Sequence, residues 1–580
     1  MRHIHSMLFA LFILVSCSVP KSKVLAQGND LQNITYQTNN KQSLTNEEQV
    51  DELFKNWNNP NSTGLVVAIV KDGKIVYQQG YGMANLEYFI PNNPKSTVFE
   101  VASVSKQFTS FCILLLEKEG KLSLEDDIRK YIPEIPDFGY KITLKQLASH
   151  TSGIRDQWEL LKLAGWRMDD VIDNEHIFKL IKRQKELNFI PGEKFSYSNT
   201  GHTLLAEVVS RVSGKTFSEF AKEQIFEPLG MKNTLFLDDF QMIVKNMAYS
   251  YNGDIDEGFK KSVLSISNVG PTNLFTTAED MTKWALNFDQ PIIGDATLIS
   301  KLNEVPLLNN GEKSEYALGQ FSSIYKGLKV FEHSGSEAAY ESFFIRFPEQ
   351  QFAVIILSND GAIWAEGKAY KICDIYLDKE FIKTNTENNN APESIENSKP
   401  IRIDTKTQQQ YVGNYWNESE GLERAIKFEN DTLRYVRQNN NFTNLLPIEK
   451  NKFVLQGLPS TIQIHFNKFD NKNYEMVFID GEEKLSFVQM MDVALKDYAG
   501  RYYSEELDTY YTLSIEENQL IAHHQRNKNI QLNPITIDRF HSKTWFFKNI
   551  TFERTNGLVS GFKISNRGVE NLFFKKVNNE

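Results

Sequence analysis

Cysteine is scarce in this chain: 580 residues contain three, Cys17, Cys112 and Cys373. The two beyond the N-terminal segment are too few and too isolated for a disulfide framework or a cysteine metal cluster, and neither a metal nor another cofactor is expected. Cys112 falls inside the apolar run Phe111 to Leu116, where a cysteine serves as a small buried hydrophobe. Basic charge is also in deficit. Lys and Arg number 64 against 74 Asp and Glu, a net charge of -10, and no basic stripe is interleaved with aromatics. That balance argues against nucleic acid as a partner. Nor is there a stretch of about 18 consecutive apolar residues, so no transmembrane helix is expected.

What is present begins with a cationic start, Met-Arg-His-Ile-His-Ser, and an apolar run from Met7 to Val15, the layout of an export signal. Leu-Val-Ser-Cys, ending at Cys17, resembles a bacterial lipoprotein box, and Val-Leu-Ala before Gln27 resembles an ordinary cleavage site. The first is favoured. It makes Cys17 an acylation site, and several acyl chains anchor a protein far better than one. The expected location is the bacterial cell envelope, as a periplasmic protein or outer-membrane lipoprotein, or the medium; the membrane is a partner only through that anchor.

At this length one hydrophobic core does not suffice, so several domains are expected. Residues 1–27 read as signal, 28–48 as an N-terminal tail, 49–383 as an α/β catalytic domain, 384–400 as a linker, and 401–490 and 491–580 as two small antiparallel β-barrels. Leu65 to Val70, Lys71-Asp72-Gly73 and Ile75 to Gln79 form a hairpin signal. A second hairpin, Ser342 to Phe347 and Phe352 to Leu357, closes the segment before a helix from about Ala365. Strands at both ends with helical patterns between them predict one antiparallel sheet flanked by helices, with a large helical insertion. The Asn-, Glu- and Pro-rich linker implies few contacts across the domain boundary. Beyond it the chain repeats: Tyr-Val-Gly-Asn-Tyr-Trp from Tyr411 returns as Tyr-Ala-Gly-Arg-Tyr-Tyr from Tyr498, 87 residues on, with short alternating strands in each copy.

Ser103 and Lys106 stand three apart just before a helical stretch, and i and i+3 share a helix face. A serine hydroxyl attacks an acyl carbon only when a base takes its proton, so Lys106 must be held at least partly neutral. Alone the pattern is weak, because S-x-x-K also occurs at Ser18, Ser323 and Ser560. A Y-x-N follows at Tyr197 and Asn199, in a loop ahead of an amphipathic helix. Tyr197 suits a proton relay or a phenolate-like base whose pKa a nearby lysine lowers, and Asn199 offers an amide to a substrate carbonyl. His333-Ser334-Gly335 sits between two strand-like runs.

S-x-x-K, Y-x-N and H-x-G in this order resemble the active-site set of the class C β-lactamases, penicillin-binding proteins, D-aminopeptidases and related esterases. L-A-S-H-T-S-G-I from Leu147, F-E-P-L-G-M from Phe226 and T-T-A-E-D-M from Thr276 extend the resemblance over roughly 330 residues in family order. It implies that Ser103 forms an acyl-enzyme and that Lys106 and Tyr197 share the proton work, with His333 completing the catalytic set. It further implies that Asn199 orients substrate, that Gly335 and Ser336 line the binding edge, and that the backbone N–H groups of Ser103 and Ser336 form an oxyanion hole. His150 and Ser152 belong to a motif that looks structural. Where β-lactamases carry lysine, the third motif here carries His333, an imidazole only partly charged near neutrality. The expected activity is hydrolysis of small peptides, amides or esters, including D-amino-acid derivatives and cell-wall peptides. The alternatives are a non-catalytic envelope or peptidoglycan-binding protein on the same fold, and a true β-lactamase. Glu337 and Glu341 follow closely, either as solvated strand-end charges or as an acidic rim for a substrate amine.

Overall fold

The computed structural model describes residues 44–382, 400–437, 441–459, 462–469 and 473–577. The signal segment, Cys17 and the linker up to residue 399 lie outside the described residues.

Six antiparallel strands form the catalytic sheet. They are β1 (Leu65–Lys71), β2 (Lys74–Tyr81), β3 (Phe321–Tyr325), β4 (Leu328–Glu337), β5 (Tyr340–Phe347) and β6 (Phe352–Ser358), in the spatial order β3-β4-β5-β6-β1-β2. Both expected hairpins form. Asp72 and Gly73 turn the first in left-handed conformations, φ 51° and 72°. The first and last strands pair directly, Leu65 opposite Ser358 through Lys71 opposite Phe352, which sends everything between β2 and β3 out as an insertion.

Strand β1 is apolar at nearly every position because both faces of the sheet are covered. Val66, Ala68 and Val70 enter one core, and Leu65, Val67 and Ile69 enter the other. Side chains alternate across a strand, so the two sets face opposite ways. The second core is closed by helices α1 (Asn46–Phe54) and α6 (Ala365–Leu377). Against the first lies the helical insertion, built around α2 (Ser105–Lys118), which is buried almost all round its circumference. Phe108 and Phe111 of α2 pack on Trp284 of α5 (Ala278–Asp289), at ring separations of 4.3 and 5.2 Å. Thr277 caps α5 by accepting from Asp280 N–H, which gives the T-T-A-E-D-M motif a structural purpose.

Two closed eight-stranded antiparallel barrels follow, spanning Gly413–Gln489 and Gly500–Val577. Their repeat persists in detail: the Tyr415 hydroxyl donates to Tyr411 O at 2.8 Å, and the Tyr502 hydroxyl to Tyr498 O at 2.7 Å. The same bulge follows Pro447 and Pro534.

The expectation of few contacts across the boundary fails for the second barrel. Its core residues, from Tyr498 to Phe574, are continuous with the helical insertion, whereas the first barrel keeps a core of its own. Arg155, 1% exposed at its side chain, pairs with Glu506 at 2.7 Å and donates to Gln184 and to the Glu570 carbonyl. The Tyr511 hydroxyl donates to Leu163 O, and Arg526 pairs with Asp170. Linker composition describes only the connecting chain. It says nothing of the surface onto which a later domain folds back.

A fragment ending at residue 382 therefore exposes this core to water and deprives Arg155 of Glu506 and of the Glu570 carbonyl. The fragment is expected to aggregate or to bind a hydrophobic dye without a cooperative thermal transition; a sharp melt like that of the full chain would contradict the shared core.

Candidate active site

The site is built from a strained turn. Glu100 ends a short strand, and Ala102 then adopts φ 46°, a left-handed conformation costly for a residue with a Cβ. The turn Ala102–Val104 carries Ser103, partly exposed, at the entrance to α2. Lys106, in the first turn of that helix, is wholly buried. Its Nζ donates to Ser103 Oγ at 2.9 Å and to Pro271 O at 2.8 Å. Burial lowers the Lys106 pKa to about 7 against the opposing pull of Asp156, Glu337 and Glu100. No carboxylate among the described residues hydrogen-bonds the amine, so it is half neutral near pH 7.

The Y-x-N loop hangs on His150. That residue is itself left-handed, φ 57°; its Nδ1 accepts from Ser198 N–H at 3.2 Å and its carbonyl accepts from Ser196 N–H at 2.9 Å. The imidazole lies 4.3 Å from the Tyr197 ring, and the other face of the cluster is filled by Tyr316. Lys106 Nζ sits 4.9 Å from the centre of the Tyr197 ring. The expected lowering of the Tyr197 pKa does not appear: burial drives it well above 10, only partly offset by a hydrogen bond with Ser103. A phenol that keeps its proton relays rather than acts as a phenolate base.

Asn199 opens helix α4 (Asn199–Ser213) and is fixed by Asp156, whose Oδ2 accepts from Asn199 N at 2.7 Å and from its Nδ2 at 2.9 Å. Asp156 also caps α3 (Gln157–Leu163). Its own N–H donates at 2.7 Å to the carbonyl of Gly568, in the loop between the last two strands of the second barrel. A Cβ on Gly568 would lie 2.7 Å from Asp156 Cβ, so only glycine lets the loop seat. The Ser196 hydroxyl reaches Arg567 O at 3.4 Å in the same loop.

His333 of β4 is 2% exposed, and burial followed by the Lys106 charge lowers its pKa to about 3. The expectation of partial charge near neutrality is thus corrected. The hydrogen-bond partners assign the neutral ring: Nδ1–H donates to Ser334 O at 2.6 Å, and Nε2 accepts from the Tyr316 hydroxyl at 2.8 Å, a phenol whose pKa burial raises well above 10. Gly335 brings β4 against the Ser103 turn, since a Cβ there would meet Val101 O at 2.2 Å and Ala102 Cβ at 3.0 Å. Ser336 is exposed on the same edge, and its hydroxyl donates to Glu341 at 2.6 Å.

Neither carboxylate after this motif is simply solvated. Burial raises Glu337 and Glu341 to about 7 each, with Lys106 pulling Glu337 back down and the Ser336 hydroxyl doing the same for Glu341. Behind them Glu100, 1% exposed, accepts from the Thr272 hydroxyl and Asn273 N–H and is raised to about 8 by burial and then by Glu337. The structure therefore gathers Ser103, Lys106, Tyr197 and His333 and sets Gly335 against the Ser103 turn, while Asn199 joins them through Asp156 and Ser336 follows on the same strand edge. Sequence reasoning missed Tyr316 and Asp156. Tyr316 lies in no recognisable motif, whereas an aspartate directly before the helical run Gln157–Leu163 is a visible N-cap signal.

A family model described as Beta-lactamase matches residues 50–368. Penicillin-binding protein 4* of Bacillus subtilis (strain 168) is 27% identical over 454 residues, which span 75% of this chain and 97% of that protein. A D-aminopeptidase of Brucella anthropi is 25% identical over 461 residues, 79% of this chain and 82% of its own. Among solved structures, the octameric penicillin-binding protein homologue from Pyrococcus abyssi aligns with a TM-score of 0.52 at 22% identity, covering 77% of this chain and 99% of that one; this is a likeness of fold.

Removing the Tyr316 hydroxyl strands the His333 Nε2 acceptor in a buried site, at a cost of about 1–3 kcal/mol. Tyr316→Phe is expected to lower the urea midpoint at pH 7, while Tyr510→Phe, at an exposed position, leaves it unchanged; equal midpoints would show that the contact holds nothing.

Proposed function

Because the chain belongs to the Beta-lactamase family, which includes penicillin-binding proteins and D-aminopeptidases, we propose that it is a serine hydrolase working through an acyl-enzyme on Ser103. One observation carries this reading: a buried lysine amine, half neutral near pH 7, 2.9 Å from the hydroxyl of a partly exposed serine.

In acylation, Ser103 Oγ attacks the acyl carbon as its proton passes to neutral Lys106 Nζ, forming the Oγ–C bond. The carbonyl electron pair moves to oxygen, facing the backbone N–H groups of Ser103 and Ser336; losing one such donor typically costs about 2.7–4 kcal/mol. The tetrahedral species collapses with loss of the amine or alcohol, which takes up the proton from Lys106 through the Tyr197 hydroxyl. Water then adds to the ester, giving a proton to Lys106 by the same route, and the acid leaves as Ser103 recovers its hydrogen. Asn199, held at both amide positions by Asp156, orients the substrate amide. His333, neutral and committed at both nitrogens, acts as a fixed wall that keeps Tyr316 in place.

Substrate preference follows from charge. The third motif offers no cation for a carboxylate, whereas the Glu337 carboxylate, which has no hydrogen-bond partner among the described residues, lies close enough to Lys106 and Glu100 for its charge to act on both. That supports small amides and esters with a free amine, D-amino-acid derivatives among them, over β-lactams. The export signal, with lipidation at Cys17, supports action in the cell envelope on wall peptides.

A fluorophosphonate should add its mass to the parent protein. Ser103→Ala should lose that adduct and at least about 10³-fold of turnover; an adduct that survives the substitution, or a parent that never labels, would favour a binding protein. Glu337→Gln is expected to raise KM for D-alanine p-nitroanilide and to spare p-nitrophenyl acetate, as loss of ground-state binding requires. Equal effects on both substrates would remove Glu337 from amine recognition.

A further inference from the structure

A cavity of about 680 Å³ opens where the two barrels meet, remote in sequence from every catalytic motif. Its wall carries Arg424, Lys427 and Arg437 from the first barrel and Lys543 and Lys548 from the second, with Glu423 as the one acidic group. In a chain with 74 acidic and 64 basic residues, this local charge is inverted. Most of these cations have no ion-pair partner among the described residues. Lys543 reaches Glu423 at 3.5 Å, but Arg424, Lys427, Arg437 and Lys548 form no ion pair among the described residues. Arg424 donates to the Tyr435 hydroxyl and to the Glu423 carbonyl, and Arg437 to the Thr443 hydroxyl, which orients both side chains and leaves further N–H groups of each guanidinium without a partner among the described residues.

The wall is rigid. Arg424, Lys427 and Arg437 stand on or beside paired strands, and Trp416 stacks on His541 of the other barrel at 3.8 Å with 21° between the rings. Trp416 Nε1 donates to Asn549 Oδ1 at 3.3 Å, and Arg539 pairs with Glu418 across the same seam. Both nitrogens of wholly buried His541 lack hydrogen-bond partners among the described residues, and its ring packs the seam. Holding four or five like charges around one space is unfavourable unless an anion joins them, and guanidinium forks suit phosphate and carboxylate oxygens in particular. The space also exceeds what a single small ion fills.

We propose that the cavity between the barrels binds a multiply charged oxyanion, carrying phosphate or carboxylate groups, through Arg424, Lys427, Arg437, Lys543 and Lys548. The site is independent of the hydrolytic reading, so either can fail alone. Tripolyphosphate and tricarballylate, titrated calorimetrically into the full chain at low salt, distinguish the two sources of charge by which one binds more tightly. Lys427→Glu with Arg437→Glu, both at exposed positions, should weaken that binding by at least about tenfold, and so should raising the salt, while p-nitrophenyl acetate hydrolysis stays at the parental rate. Should the reversed pair fold poorly, Lys427→Gln with Arg437→Gln should weaken binding in the same direction. Absence of binding for both anions, or equal affinity in parent and variants, would overturn the proposal.

Discussion

The structure turns on keeping one ammonium out of water. Lys106 is wholly buried inside the first turn of a helix that is itself buried, and charged nitrogen in such a place is expensive. Three features make the position tenable. The Pro271 carbonyl and Ser103 hydroxyl accept its hydrogens, and Asp156, Glu337 and Glu100 favour the charged form from a distance. Their balance leaves the amine close to half ionised near neutrality, the condition a general base requires. A carboxylate in direct contact with the amine would instead hold it charged.

The Ser103 turn, the Y-x-N loop and the β4 edge are each braced by something outside the three motifs. Gly335 allows β4 to touch Val101 and Ala102, and the Ser342 hydroxyl donates to Val101 O at 2.8 Å. Asp156 fixes Asn199 and is fixed in turn by Gly568 of the second barrel. Asn188 strengthens the same junction, donating to Gly568 O and accepting from Glu570 N–H. The second barrel thus belongs to the hydrolase unit mechanically, while the first, with its separate core, joins it through the cation-lined seam.

Much of this was legible in the sequence, and the parts that were not share a cause. Hairpins announced by Asp72-Gly73 and by the run Pro348 to Gln351 form because turn chemistry is local. The 87-residue repeat survives as matching tyrosine bonds and bulges because each barrel buries its own alternating face. S-x-x-K at Ser103 stands apart from the same pattern at Ser18, Ser323 and Ser560 only through the order of the other motifs. By contrast, Tyr316 meets His333 from 17 residues away, and Asp156 meets Gly568 from the far end of the chain. Such contacts depend on how finished domains pack, which no local pattern encodes. Charge states failed for a related reason: His333 and Tyr197 take theirs from burial, and burial is a property of the assembled fold.

The pH dependence of Ser103 modification by a fluorophosphonate tests the central claim most directly. If neutral Lys106 is the base, the second-order rate is low in acid, rises as the amine loses its proton, and levels off above an inflection near pH 7. Lys106→Arg, charged throughout, should abolish that rise. A limb centred near pH 10, where an ordinary lysine titrates, or one that persists unchanged in Lys106→Arg, would contradict it.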